Sequence, residues 1–261
     1  MTTLQDGALA AAFDRASGSY DRLVAANPGY HAHLRLSAAR LALPAQGAGM
    51  RVLDLGCGTG ASTAALLAAA PRARITAVDA SAGMLRQAAA KRWDGDVEFV
   101  HAAAEDLPRP GAEGPFDAVF AAYLVRNVAD PDAVLRSVRE LLRPGGRLAV
   151  HEYTLTGTPF HRLVWSAVCW GIVIPAGSLP RGDASLYRHL WRSVLDFDTA
   201  GAFRERLARA GLPPVRTAPV TGWQRGIVHT FLARRPGGAE DTGGRGGEGP
   251  RGWRGMSPAA G

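Results

Sequence analysis

The sequence predicts a doubly wound α/β fold: a seven-stranded sheet, parallel over most of its width and closed by a C-terminal antiparallel hairpin. Three observations carry this prediction. From residue 50 to residue 153 short apolar runs alternate with helical stretches, the pattern of a parallel sheet covered on both faces. The stretch Met50 to Gly60, M-R-V-L-D-L-G-C-G-T-G, runs as a strand into a glycine turn and passes without a proline into the alanine-rich Ala61 to Ala70. Two short apolar runs end the periodic sequence, Val215 to Val220 and Ile227 to Ala233, and would close the sheet as a hairpin.

Taken in order, residues 1–8 are expected to be disordered, and residues 9–235 form one domain. Its first part, 9–45, reads as helices, with apolar positions at Leu34, Leu36, Ala38, Ala39 and Leu41. Strand one is Arg51 to Leu55, followed by a helix ending near Pro71. Ala73 to Val78 is strand two, and Ser81 has the side chain to cap a helix running to about Trp93. Val97 to Val100 is strand three, and a proline-rich turn from Asp106 to Pro115 leads to strand four, Phe116 to Ala121. Asp130 caps a helix that opens with Pro131 and closes at Pro144-Gly145-Gly146, before strand five, Arg147 to Tyr153. The alternation then stops. Residues 157–197 read as an insertion, a pair of helices over the sheet broken at Pro175 and Pro180. Asp198 to Ala210 is an amphipathic helix stopped by Gly211, and the glycine-rich tail 236–261 cannot bury enough surface to fold.

Composition narrows the function classes. No apolar run reaches the roughly 18 residues that span a membrane, and the N-terminus lacks the basic start of a secretory signal, so a cytoplasmic protein is expected. Two cysteines make neither a disulfide framework nor a metal site; Cys57 fills space in the glycine turn and Cys169 a helix face. The net charge of +7 comes from scattered arginines with Lys91 as the only lysine, which argues against a nucleic-acid surface and more for attraction to anionic lipid.

The glycine turn is where chemistry is expected. Gly56, Gly58 and Gly60 leave no side chain between the backbone and a ligand, and the following helix points unpaired N–H groups at the same space. A nucleoside cofactor is the expected guest, with Asp54 placed to accept a hydrogen bond from an ammonium or amide. As G-x-G-x-x-A the loop fits a dinucleotide fingerprint; as D-x-G-x-G-x-G it resembles the S-adenosylmethionine (SAM) loop of the class I methyltransferases. The acidic residue two positions before the first glycine favours the second reading, and a turn with no ligand is the third. Asp79, at the end of strand two, stands where a carboxylate accepts hydrogen bonds from ribose hydroxyls; its ordinary alternative is a charge or cap at the start of the next helix. Residues 121 to 124 read Ala-Ala-Tyr-Leu, not the Asn/Asp-Pro-Pro-aromatic run of enzymes that methylate base amino groups.

Four further stretches narrow the resemblance: F-D-R-A-S-G-S-Y-D before the sheet, L-V-R-N-V after strand four, L-R-P-G-G-R-L-A-V before strand five, and I-P-A-G-S-L-P-R-G-D-A-S-L-Y-R-H-L in the insertion. From about Phe13 to Arg234 the chain resembles the UbiE/MenG-type C-methyltransferases of ubiquinone and menaquinone biosynthesis. The resemblance implies a class I, Rossmann-like methyltransferase fold with SAM contacts at Thr59, Asp79, Ala103, Ala104 and Ala122, beside Asp54 and the three glycines, and catalytic positions at Tyr20, Arg126 and Asn127. Two positions depart from the family: Ala103 replaces a polar adenine contact, and Ala122 a residue that is often serine.

Chemistry then sets the roles. A hydroquinone hydroxyl titrates near 10, so forming its anion near neutral pH needs roughly 4 kcal/mol of help. Arg126 is expected to stabilise that anion, or the water that takes its proton, while Asn127 and Tyr20 orient the water; His151 and Glu152 are rival bases. The ordinary alternative for Arg126 is an ion pair with Asp130 or Asp132. A prenyl chain needs an apolar groove, which Leu163, Val164, Trp165, Trp170, Ile172, Val173 and Ile174 would line, unless the insertion is a plain packed helix. The expected acceptor is a lipophilic prenylated hydroquinone, demethylmenaquinol first. An aromatic or polyketide acceptor of secondary metabolism and a SAM-binding scaffold without turnover are the alternatives. A homodimer and a peripheral membrane contact are left open.

Overall fold

The computed structural model describes residues 7–25, 27, 29–178 and 184–237; the disorder expected at 1–6 and 238–261 and the break at Pro180 lie outside the described residues. Two helices, α1 (Gly7–Ala25) and α2 (Tyr30–Ala39), precede the sheet. Then follow β1 (Arg51–Leu55), α3 (Ala61–Ala69), β2 (Arg74–Asp79), α4 (Ala82–Ala89), β3 (Asp96–His101), β4 (Phe116–Ala122), α5 (Pro131–Leu141) and β5 (Leu142–Tyr153). The insertion holds α6 (Pro159–Val168), α7 (Ile174–Ser178) and α8 (Ser185–Asp196), and the chain closes with α9 (Ala200–Arg209), β6 (Arg216–Pro219) and β7 (Val228–Arg234).

The seven strands lie in the order β3-β2-β1-β4-β5-β7-β6, the first five parallel and β7 antiparallel to both its neighbours. Strand order reverses between β1 and β4, and in open α/β sheets that crevice, beyond the carboxyl ends of the strands, is where ligands bind. Alternation along β1 sends Leu53 and Leu55 to one face, under Val134, Leu135 and Val138 of α5 and Phe203 and Leu207 of α9. Val52 goes to the other, under Leu34 and Ala38 of α2 and Leu66 of α3. Both faces are dry, so β1 and the loop that follows it are held rigidly.

Four elements differ from the sequence expectation. Helix α1 already begins at Gly7. Helix α4 stops at Ala89 rather than Trp93, because the Trp93 indole turns back and donates from Nε1 to the Ala88 carbonyl at 3.0 Å. Strand β5 starts at Leu142 and absorbs Pro144-Gly145-Gly146; the Gly145 N–H donates to the Arg235 carbonyl and Gly146 accepts from the Arg235 N–H, so these glycines are a bulge in the ladder rather than a helix stop. In the insertion, α6 runs through a π-helical segment, Cys169–Val173, directly into α7; the wider turn carries the chain past Pro175, which lacks the N–H an α-helix would use.

Candidate active site

The loop after β1 uses its glycines differently. Gly58 lies at φ +55°, its N–H donates to Asp79 Oδ2 at 2.7 Å, and a Cβ built on it would meet no atom within 4 Å, since it would project into a cavity. Gly60, at φ +91°, instead has the Trp93 ring 2.5 Å from where its Cβ would be. The first glycine leaves room for a ligand and the second makes room for an indole.

Two buried carboxylates lie by the loop. Asp79 accepts from Gly58 and, through Oδ1, from the Ser81 N–H at 2.8 Å, and it lines the cavity with further lone pairs on both oxygens; burial raises its pKa. Asp54 sits one layer below. Its Oδ2 accepts the hydroxyls of Ser62 (2.8 Å) and Thr63 (2.6 Å), partners that the sequence reading did not name, while Oδ1 has none among the described residues. Burial pushes the Asp54 pKa up to about 7. A carboxylate with an orphan oxygen under a glycine cradle suits a cationic ligand.

The cavity over the loop has a volume of about 740 Å³ and is lined by Gly56, Gly58, Thr59, Asp79, Ala103, Ala104 and Ala122 among others. Asp54 and Gly60 lie behind this wall. The Thr59 hydroxyl donates to Asp21 Oδ1 at 2.5 Å and its carbonyl accepts from Lys91 Nζ at 2.7 Å, so both are committed within the protein. Asp21 also pairs with Lys91 at 2.6 Å, and Asp14 accepts from Ser81 Oγ and the Gly83 N–H, so two acids of α1 fasten that helix over the cavity. Tyr20 lies on α1, with its side chain outside the described residues.

Beyond β4 the chain turns sharply at Tyr123, whose φ of +57° is uncommon for an aromatic residue. That turn aims the Tyr123 carbonyl at two donors, Arg126 Nη1 (2.9 Å) and Asn127 Nδ2 (3.0 Å). Arg126 pairs with Glu152 at 2.5 Å rather than with Asp130, which caps α5, or Asp132, which pairs with Arg206. Its guanidinium lies over the rings of Tyr123 and Tyr153, and its Nε is buried without a partner among the described residues. Burial pushes the Glu152 pKa up against the pull of Arg126, and its carboxylate is closed off by Arg126 and the Tyr153 N–H. His151 is pushed down to about 3 by burial, with its ring nitrogens on Tyr123 Oη and Thr230 Oγ1. Neither rival base is among the residues lining this cavity or the one beside it.

A second cavity of about 450 Å³, mostly apolar, adjoins the first. Phe13, Tyr30, Tyr123, Arg126 and Asn127 line both. Val164, Trp165, Ile172 and Val173 line it as expected; Leu163 and Trp170 instead face outward, and Ile174 is packed in the core.

Residues 1–233 match the ubiE/COQ5 methyltransferase family. The chain belongs to that family. It is a SAM-dependent methyltransferase. Demethylmenaquinone methyltransferase of Clavibacter sepedonicus is 34% identical over 228 residues, 85% of this chain and 90% of its own. The ubiquinone/menaquinone biosynthesis C-methyltransferase UbiE of Syntrophotalea carbinolica is also 34% identical over 228 residues, covering 85% and 92%. Among solved structures, human N-acetylserotonin methyltransferase in complex with SAM aligns with TM-score 0.57 at 16% identity, over 87% of this chain and 56% of that one. The [4+2]-cyclase SpnF aligns with TM-score 0.63 at 18% identity, over 91% and 98%, a likeness of fold alone.

In this methyltransferase, of the residues that the sequence reading singled out, Gly56, Gly58, Thr59, Asp79, Ala103, Ala104 and Ala122 meet at one cavity, Arg126 and Asn127 lie on the wall between two, and Asp54 and Gly60 line neither. It missed Tyr123, for which only the non-glycine turn after strand four was a signal. It also missed His189, which lies inside the insertion stretch of the resemblance and lines the second cavity, and it missed His33. His33 is buried, with Nδ1 on Gln224 Oε1 at 2.9 Å.

Proposed function

We propose that this chain methylates a ring carbon of a lipophilic prenylated hydroquinone, demethylmenaquinol first among them. The observation that carries the reading is the pair of cavities meeting at Tyr123, Arg126 and Asn127, one polar at its glycine floor and one apolar. In this reading Gly56, Gly58 and Thr59 hold the amino-acid end of SAM, with the Asp54 carboxylate acting on its charge from behind that wall, Asp79 holds the ribose, and Ala103, Ala104 and Ala122 form the flat adenosyl walls. When bound, SAM supplies an electrophilic methyl group.

The chain's own residues do the rest. The walls of the second cavity exclude water and hold the prenylated ring against Tyr123. The Arg126 guanidinium, on the wall that the two cavities share, sets positive charge beside the acceptor oxygen as negative charge develops there. Glu152 and the Tyr123 carbonyl hold the guanidinium still, so that charge is in place before the reaction. The ring carbon beside that oxygen becomes the nucleophile.

Access for a membrane-borne acceptor comes from the insertion. Phe160, Leu163, Trp170 and Ile172 are exposed on α6 and the π segment, which also line the second cavity, and we take this patch to touch the lipid surface. Deleting the gene and profiling quinones tests the function: loss of methylated menaquinone with accumulation of its demethyl form is expected, and an unchanged profile would refute the reading.

A further inference from the structure

We infer that the second cavity recognises the acceptor's ring and only the start of its prenyl chain, and that the rest of the chain leaves through a mouth framed by Ile172, Ala176 and Trp223. This rests on the acceptor being a prenylated hydroquinone, and adds where its chain leaves and how much of it the protein reads.

The cavity is small for a whole polyprenyl acceptor. At roughly 30 Å³ per heavy atom, the share of one water in the liquid, its volume of about 450 Å³ holds on the order of fifteen atoms. A naphthalene hydroquinone ring takes about twelve of these, which leaves room for about one isoprene unit. A longer chain has to pass out of the protein.

Exposure locates the mouth. Where the cavity meets the SAM cavity, its wall is Phe13, Tyr30, Tyr123, Arg126 and Asn127, each buried or half-buried. Among the residues lining it, the exposed ones are Ile172, Ala176 and Trp223, and all three are apolar. Ile172 is 64% exposed and Trp223 38%, although each also forms part of the wall. Ile172 and Ala176 stand one turn apart on the run from the π segment into α7, so they share a face. Trp223 comes from the other side, in the connection between β6 and β7. Its neighbour Gln224 is buried, with Oε1 2.9 Å from His33 Nδ1 and Nε2 donating to Tyr153 Oη at 3.4 Å, which holds the indole in place. The mouth thus has one side on the insertion and one on the sheet's own connection.

The polar end of the cavity therefore faces SAM and the apolar end faces out. Outside, the helical run that carries Ile172 also carries the exposed Trp170, Leu163 and Phe160, the patch taken above to touch lipid. A chain leaving beside Ile172 enters the face turned to the lipid and is not stranded in water. Units inside the mouth are gripped by side chains, and units beyond it lie in lipid, where the protein does not count them.

The test follows transfer of labelled methyl, in detergent micelles, to naphthalene hydroquinones that carry none, one, two or four isoprene units. Wild-type kcat/KM should rise about tenfold or more over the first two units, and by less than about threefold from there to four. Ile172→Trp puts a larger ring at the mouth from an exposed position outside the SAM cavity, so its SAM affinity reports an intact fold. It should lose at least about tenfold more on the two-unit and four-unit acceptors than on the shortest acceptor that wild type turns over. If that variant fails to bind SAM, Ala176→Phe takes its place with the same expectation. A wild type that keeps gaining with each unit up to four, or a variant that slows every acceptor alike or none, would overturn the mouth and leave the proposed acceptor standing. A wild type that methylates none of the four would overturn the acceptor as well.

Discussion

Arg126 Nη1 lies 2.5 Å from Glu152 Oε1 with 5% of one side chain and none of the other exposed, so the most distinctive residue of the site is half of a buried ion pair. Removing either partner strands a charge in a dry core. Arg126→Ala should therefore lose about 3–5 kcal/mol of folding stability by urea denaturation, as should Glu152→Ala. The double replacement Arg126→Met/Glu152→Met should regain most of that stability and SAM binding yet not turn over. A stable, fully active double variant would show that the pair serves the fold only.

Asp54 gives SAM binding a pH dependence. Burial raises its folded pKa to about 7, so any stability it contributes is present at acid pH and is lost as pH rises through about 7. A cationic ligand favours the ionised form, so SAM affinity should rise between pH 6 and 8 and binding should release a proton. Calorimetry in buffers of different ionisation enthalpy reads that proton directly. Asp54→Asn should bind without the release; a wild type that releases none contradicts the assignment.

The two loop glycines should fail in different ways. Gly58→Ala places a methyl group in the SAM cavity and should cost tenfold or more in affinity, with about 1–2 kcal/mol of backbone strain. Gly60→Ala drives its Cβ into Trp93 and should destabilise the fold by about 2–4 kcal/mol. Equal effects of the two on binding and on stability would contradict this division.

The outward apolar patch should govern membrane contact and not chemistry. Replacing Phe160, Leu163 and Trp170 together by serine should abolish co-sedimentation with lipid vesicles while leaving SAM affinity unchanged, since none of the three lines either cavity. Vesicle binding that survives the triple change would place the lipid contact elsewhere.

How far the fold and site were legible follows from the reach of each signal. Strand periodicity and Ser81 and Asp130 caps are local, and they fixed the order of elements within a few residues. The glycine loop and Asp79 were legible because a strand-end turn places its residues by connectivity alone. Partners distant in sequence were not. Glu152 was read as a rival base, and Asp130 and Asp132 were the ion-pair partners weighed for Arg126 beside its role at the acceptor, since nothing local says that β5 ends beside the turn after β4. His189 was unread for the same reason: its meaning comes from Asn127, 62 residues away, and from a helix that folds back over the sheet.

The most direct test incubates the purified protein with demethylmenaquinol and SAM bearing a deuterated methyl group, and fragments the product by mass spectrometry. The account predicts the intact label on the ring carbon beside a hydroxyl. Label on oxygen, or none in the quinol while SAM is bound, would contradict it.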